Sequence, residues 1–344
     1  MLVTIVVAFD KFRGTATARE LCEEVANRLR KRDLEVWVQP MSDGGEGFGA
    51  IIGSEVHLAT VSGPLGLPTQ AHWYSRGDLA IVEMAEASGL AKVGVKGSES
   101  ALSASTRGTG ELIELVLDQK FRRIVIGCGG SASTDGGAGA LEVVGERLRR
   151  DEIEVTVAVD VATKFLDAAR VFGPQKGATP EDITILTERL QMLAESYVSS
   201  FGIDVREIPG TGAAGGLAGG LVACGAQIRT GVDVVSEHVG LREQLSHASL
   251  VVTGEGCLDG STGEGKVVGA LVDLAGRMAL PVLVVAGTIE AVPSALALYP
   301  HIELLALVER YGEEEAFAHA VRRVGDRVLE SELLGQLMSS NPGD

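Results

Sequence analysis

The run Val3-Thr4-Ile5-Val6-Val7-Ala8-Phe9-Asp10-Lys11-Phe12-Arg13-Gly14, followed by Thr17-Ala18-Arg19-Glu20, decides the fold. Residues 3–8 are an unbroken, largely β-branched apolar stretch, the pattern of a strand buried on both faces of a parallel sheet. Thr17 with Glu20 three positions on is a capping-box pattern that opens a helix. Leu21, Val25 and Leu29 share one face of that helix, and Arg30-Lys31-Arg32 suits the negative end of its dipole. Residues 34–38 read as the next strand. A strand, a helix and a strand in this order make the repeating unit of an α/β protein.

Working outward, the alternation continues. Strands are expected at 79–84, 123–126, 155–159, 250–253, 282–286 and 303–308. Helices are expected at 110–117, 138–149, 180–199, 213–223, 263–278 and 313–333. The predicted fold class is therefore α/β with mostly parallel sheets, and a chain of 344 residues has room for two such domains. The Pro- and Gly-bearing stretch 64–68 and the polar stretch 235–247 are the expected domain crossings.

Composition narrows the function. Lys and Arg number 30 against 47 Asp and Glu, a formal net charge of −17. So acidic a chain is a poor general binder of nucleic acid or anionic membrane, because phosphate neutralisation needs Lys and Arg. Aromatic residues are 4%, too few for base-stacking platforms. Four widely spaced cysteines lack any C-x-x-C, and the six histidines lack metal-ligand spacing, which speaks against zinc and disulfides and for a reducing cytoplasm. The first apolar run is short, has no basic flank and meets Asp10 at once, so it reads as a strand and not a signal peptide. No apolar run approaches the roughly 18 residues of a membrane span. Glycine is the outlier, 45 residues, placed in turns and loops that approach a ligand closely.

In an open parallel sheet, ligands bind beyond the carboxyl ends of the strands. Acids collect there: Asp10, Asp43, Glu83, Asp135, Asp160, Glu255 and Asp259 all follow or end a predicted strand, most beside glycines. Such a set suits Mg²⁺ ligation, hydroxyl binding and one general base, with helix caps and turn formers as the plain alternative for any one of them. The densest loop is Gly127-Cys128-Gly129-Gly130-Ser131-Ala132-Ser133-Thr134-Asp135-Gly136-Gly137, between a strand and a helix, where main-chain amides can face an anion. It also matches the dinucleotide pattern G-x-G-x-x-A, with Asp151 about 20 residues on, although more loop follows than that motif allows. Pro209-Gly210-Thr211-Gly212-Ala213-Ala214-Gly215-Gly216-Leu217 holds a G-x-G-x-x-G without a clean strand before it, and close helix packing is its plain alternative. Gly260-Ser261-Thr262-Gly263-Glu264-Gly265-Lys266-Val267 imitates a P-loop, but Val267 stands where a Mg²⁺-binding hydroxyl belongs, which leaves Lys266 as a phosphate contact. Arg107, in Ser105-Thr106-Arg107-Gly108, and Lys176, in Phe172-Gly173-Pro174-Gln175-Lys176-Gly177, are candidate anion partners. None of the histidines sits in a glycine loop, and each is expected to be structural or exposed.

These segments, in this order, resemble the bacterial type I glycerate kinase family over nearly the whole chain. The family's Asp-Ser-Phe-Lys-Gly is similar to Asp10-Lys11-Phe12-Arg13-Gly14, and its Asp-Gly-Gly-Glu-Gly to Asp43-Gly44-Gly45-Glu46-Gly47. The resemblance continues through residues 83–90, 108–113, 129–139, 171–178 and 209–217, and through Thr253-Gly254-Glu255-Gly256. It departs at Lys11, Arg13 and Cys257 and along 162–170, which lacks the family's glycines. The resemblance implies ATP- and Mg²⁺-dependent phosphorylation of D-glycerate, typically at the 2-hydroxyl. It also implies one discontinuous α/β domain with the other inserted, here 1–65 plus 248–344 around 66–247.

On that reading Asp43, Asp160 and Lys266 are catalytic, with Asp160 or Asp43 as the base. Asp10, Lys11, Arg13, Glu83, Arg107 and Glu255 bind the small hydroxyacid. Gly129, Gly130, Ser131, Ser133, Asp135, Gly136, Gly137 and Lys176 bind the nucleotide, and Asp43 or Asp135 holds the metal. The partners are then a small acid and ATP, with no nucleic acid and no membrane, on a monomer or homodimer. A non-catalytic regulator binding a nucleotide or sugar acid, a kinase of a related hydroxyacid, and an NAD-dependent dehydrogenase remain as alternatives.

Overall fold

The computed structural model describes residues 3–150, 152–260, 262 and 266–339. Its strands are β1 (Thr4–Phe9), β2 (Glu35–Val38), β3 (Glu55–Ser62), β4 (Pro68–Arg76), β5 (Leu79–Glu83), β6 (Arg123–Gly127), β7 (Glu154–Val159), β8 (Gln227–Thr230), β9 (Leu250–Gly254), β10 (Cys257–Leu258), β11 (Val282–Ala286), β12 (Thr288–Ile289) and β13 (Ile302–Ala306). Contacts divide the chain into two units, Met1–Asp43 with Val232–Asp344, and Gly44–Gly231. The fold is α/β with mostly parallel sheets, one unit discontinuous and the other inserted.

The discontinuous unit is built on a five-stranded parallel sheet in the order β13-β11-β9-β1-β2. All six residues of β1 are buried, as its unbroken apolar run requires. The helix Ala18–Arg30 opens with the expected reciprocal cap: the Glu20 amide donates to Thr17 Oγ1 at 3.2 Å, and the Thr17 amide donates to Glu20 Oε2 at 2.9 Å. Leu21, Val25 and Leu29 lie fully buried against Ile5, Val7, Leu283 and Val285. From β1 the chain steps to β2 on one side and, after the insertion, through β9, β11 and β13 on the other. The strand order therefore reverses between β1 and β9, and the crevice beyond their carboxyl ends is where a sheet of this kind binds ligands.

The inserted unit carries a six-stranded sheet, β3-β4-β5-β6-β7-β8, antiparallel across β3, β4 and β5 and parallel from β5 to β8. Residues 64–68 are not a domain crossing. They turn the β3–β4 hairpin, closed by the Gly63 amide on the Leu67 carbonyl at 2.7 Å. On β3, Ala59 and Val61 face the core while Val56 and Leu58 stay exposed, so one face of the hairpin is solvated. Residues 44–65 thus belong with the inserted unit, and the expected crossing at 235–247 is instead the two helices Gly231–Val239 and Leu241–Ser246.

Two expected helices change form for visible reasons. The stretch 313–333 breaks into Glu313–Ala318, Ala320–Leu329 and Glu332–Ser339. The Glu303 carboxylate on β13 accepts hydrogen bonds from Ser331 Oγ and from the Glu332 and Leu333 amides, at 2.6, 3.1 and 3.0 Å, and starts the last helix there. The stretch 213–223 begins as a tight turn with Ala214 and Gly215 left-handed, and only Leu217–Ala223 is α-helical.

Candidate active site

In the discontinuous unit, the reversal of strand order puts Asp10 after β1 and Glu255 after β9, side by side in the sheet. The Asp10 amide extends the pairing, donating to the Gly254 carbonyl at 3.1 Å. Both carboxyls are buried. Burial, then the charge of Asp43, raises Asp10 from its ordinary value to about 6, against the pull of Lys11, its amide, and Arg13. Burial raises Glu255 to about 7, against the Thr262 hydroxyl that donates to it and the Lys266 ammonium. Glu255 Oε1 is buried without a hydrogen-bond partner. Asp43, which follows β2, takes Lys11 Nζ at 3.7 Å. Lys266 caps the helix Val267–Arg277 and lies 3.6 Å from Asp259. The structure thus assembles Asp10, Lys11, Arg13, Asp43, Glu255 and Lys266, six of the residues singled out from sequence. Thr262 joins them unanticipated; its only signal was a hydroxyl in the 260–266 run. The other P-loop positions, 261 and 263–265, lie outside the described residues, as does Asp151.

In the inserted unit the glycine-rich loop leaves β6 and enters the helix Ala138–Arg150. Gly129 packs on Gly45 so closely that a Cβ would stand 2.5 Å from the Gly45 Cα. The two glycine motifs, 44–47 and 127–130, therefore meet backbone to backbone. Further along, Leu90 donates its amide to the Gly130 carbonyl and Ala132 its amide to the Ser88 carbonyl. The Pro209 to Leu217 motif packs against the same loop: a Cβ on Gly215 would lie 1.9 Å from the Ser133 carbonyl oxygen. Those glycines serve close packing, which removes the dinucleotide reading.

Several expected roles need correction. Asp135, expected as a nucleotide or metal contact, is engaged by the protein's own donors. Its Oδ2 accepts from the Thr106 amide at 2.7 Å, Thr106 Oγ1 at 2.8 Å, Ser105 Oγ at 3.4 Å and the Gly139 amide at 3.3 Å, and Oδ1 accepts from the Gly137 amide at 3.2 Å. It pins the loop to the start of the helix Arg107–Asp118. The Gly136 amide is likewise spent, on the Gly215 carbonyl. Glu83 is buried and receives the Gly47 and Gly49 amides at 3.1 and 2.6 Å, so it anchors the 44–49 segment. Arg107 is half exposed and reaches Glu111 and Glu142 at 3.3 and 3.4 Å. Ser133 is fully buried, and Lys176 is 2% exposed beneath the loop, not lying over it. Burial lowers the Lys176 ammonium to about 7, with Asp135 opposing the shift. Along the loop Gly130 is exposed, Gly129 and Asp135 are half-buried, and the rest is buried. Asp160 follows β7, half-buried, and its charge helps burial raise the Cys128 thiol. Of the histidines, His57 stacks on Trp73 at 3.9 Å and shares a hydrogen bond with Ser75 Oγ, while His72 and His319 are half exposed.

Among the described residues no three His, Cys, Asp or Glu side chains gather as a metal cluster, and no helix is long and apolar enough to cross a membrane. Known proteins give this arrangement its context. Glycerate 2-kinase of Escherichia coli K12 is 34% identical over 83% of this chain and 85% of its own length. A glycerate kinase of Halalkalibacterium halodurans is 33% identical over 90% and 94%. A solved structure carrying the name glycerate kinase 2, from Salmonella typhimurium LT2, superposes with a TM-score of 0.78 at 30% identity, over 98% of this chain and 100% of that one. The pattern that defines the glycerate kinase family matches residues 5–152 and 147–330. Two α/β units with mostly parallel sheets, buried acids where strand order reverses, and likeness along almost the full length lead to one conclusion: the chain belongs to the glycerate kinase family and is a kinase.

Proposed function

We propose that the protein transfers the γ-phosphoryl group of ATP to the 2-hydroxyl of D-glycerate, giving 2-phosphoglycerate and ADP. The observation that carries this reading is the pair of buried, high-pKa carboxyls at the reversal point, Asp10 and Glu255, beside Lys11 and Asp43. The printed name of the Escherichia coli relative, a 2-kinase, supports the choice of hydroxyl.

Lys11 and Arg13 pair with the substrate carboxylate; Arg13 is exposed and its charge already acts on Asp10. Glu255 takes the proton of the 2-hydroxyl. A carboxylate near 7 is ionised in part at neutral pH and basic enough to accept that proton, which is the balance general-base catalysis needs. The substrate oxygen then bonds to the γ-phosphorus, the bond to the bridging oxygen breaks, and ADP departs with that electron pair. Lys266 offsets charge on the phosphoryl oxygens. Gly130, the exposed position of the loop, and Gly129 beside it offer close backbone approach to the nucleotide phosphates. Asp10 and Asp43, like charges near enough for one to raise the other, would hold a divalent cation. When bound it supplies neutralisation of phosphate charge.

ADP release coupled to D-glycerate, with ³¹P NMR of the product, tests the reading. Formation of 3-phosphoglycerate would overturn the choice of hydroxyl. Turnover only on another hydroxyacid would overturn the substrate. Nucleotide binding with no turnover on any hydroxyacid would leave a regulator.

A further inference from the structure

We propose that Lys176 is a positioning residue: it clamps the glycine loop from inside and sets a buried cation behind Gly129 and Gly130, where an anionic group is received. This rests on the reading of that loop as the seat of the nucleotide phosphates.

Lys176 ends the turn Pro174–Lys176, closed by Gly177 in the left-handed region at φ 93°. Its ammonium donates to Ser131 Oγ at 2.9 Å, to the Ser133 carbonyl at 2.5 Å and to Thr134 Oγ1 at 3.4 Å. All three donors of the ammonium are spent on one loop, more than 40 positions away in sequence. The acceptors are neutral oxygens, and among the described residues no carboxylate makes an ion pair with Lys176, although Asp135 acts on it from further off. The loop is therefore held at two points of opposite charge, Lys176 under residues 131–134 and the Asp135 carboxylate on the 105–106 amide and hydroxyls, with Gly130 left exposed and Gly129 half-buried beside it.

Burying an ammonium is expensive, and a neutral amide could bridge the same oxygens. A loop that only needed shape would not require the charge. A loop that receives phosphate does, because main-chain amides carry partial charges only, and the nearest fixed carboxylate, Asp135, works against an anion. With little water around it, a cation behind Ser131 acts on an incoming phosphate with weak screening.

Lys176→Gln keeps donors and removes charge. The expected result is a folded enzyme whose KM for ATP rises at least about tenfold while its KM for D-glycerate stays within about twofold, a split that loss of stability alone does not produce. Amide exchange of residues 129–139 with and without ATP completes the test. If ATP fails to slow exchange there in the unsubstituted enzyme, the loop is not the phosphate seat and the proposal falls with it. If ATP protects the loop equally in the Gln variant, with unchanged KM, the phosphate seat stands and the role of Lys176 is refuted. Should Lys176→Gln not fold, Ser131→Ala removes one acceptor and leaves the charge; a rise of about threefold in KM for ATP is expected, and an unchanged value overturns the clamp.

Discussion

Replacing Glu255 by Gln should make the protein more stable at neutral pH while it loses activity. In the folded chain this carboxyl sits at about 7 against an ordinary 4.5. The native state therefore holds the Glu255 proton more tightly than the unfolded state does. Between pH 4.5 and 7 native protein binds the extra proton, so stability falls as pH rises through that window, and the full cost stands above it. At about 1.4 kcal/mol per pH unit the cost approaches 3 kcal/mol. Gln resembles the protonated acid in shape and charge. The stability difference between the variant and the parent should hence change by about 3 kcal/mol, in favour of the variant, from pH 4.5 to pH 8. Urea denaturation at half-unit steps of pH reads this directly. Turnover of the variant should drop by roughly 10² to 10⁴, the usual contribution of a general base. A stability difference that stays flat across the window would refute the burial argument, and an active Gln variant would refute the base.

Asp43→Asn should lower turnover by about two orders of magnitude or more; near-normal turnover would remove its role. Gly215→Ala should destabilise by about 3 kcal/mol or more, through a Cβ driven onto the Ser133 carbonyl and a left-handed backbone, and a thermal shift under about 2 °C would contradict that packing. Glu83→Gln should cost about 2 kcal/mol by leaving one of the Gly47 and Gly49 amides without its acceptor. Its KM for D-glycerate should hold within about twofold, and a large rise would return Glu83 to the substrate site.

Much of the fold was legible because the parallel strands are written as short apolar runs. The sequence placed β11 at its observed ends and β1, β6, β7 and β9 within a residue or so at each end. It missed β3 and β4, whose hairpin is solvated on one face and mixes Val56 and Leu58 outward with Ala59 and Val61 inward, so neither a continuous run nor a clean alternation appears. The Pro and Gly between them then looked like a linker when they are a hairpin turn. The last break in the helix expected at 313–333 comes from Glu303, a partner on β13 that local periodicity does not contain.

The site was legible by residue type and ambiguous by role, and the ambiguity has one physical source. An acid at the end of a strand is surrounded by main-chain amides from the next loop, so it can bind either the protein's own backbone or a ligand. Asp135 and Glu83 meet amides at 2.6 to 3.3 Å and are consumed by them. Asp10 and Glu255 stand where strand order reverses, each with one local donor, the Lys11 amide or the Thr262 hydroxyl, and burial outweighs it, so their pKa values rise. The rule that separates the two groups is thus topological. It depends on which strands become neighbours, β1 and β9 being some 240 residues apart in the chain, and a reading of local motifs holds no term for that. Stability is lost at the reversal point because burial there outweighs what the Lys11 amide, the Thr262 hydroxyl and the neighbouring cations return; on the proposed function a substrate hydroxyl and a divalent cation supply the rest.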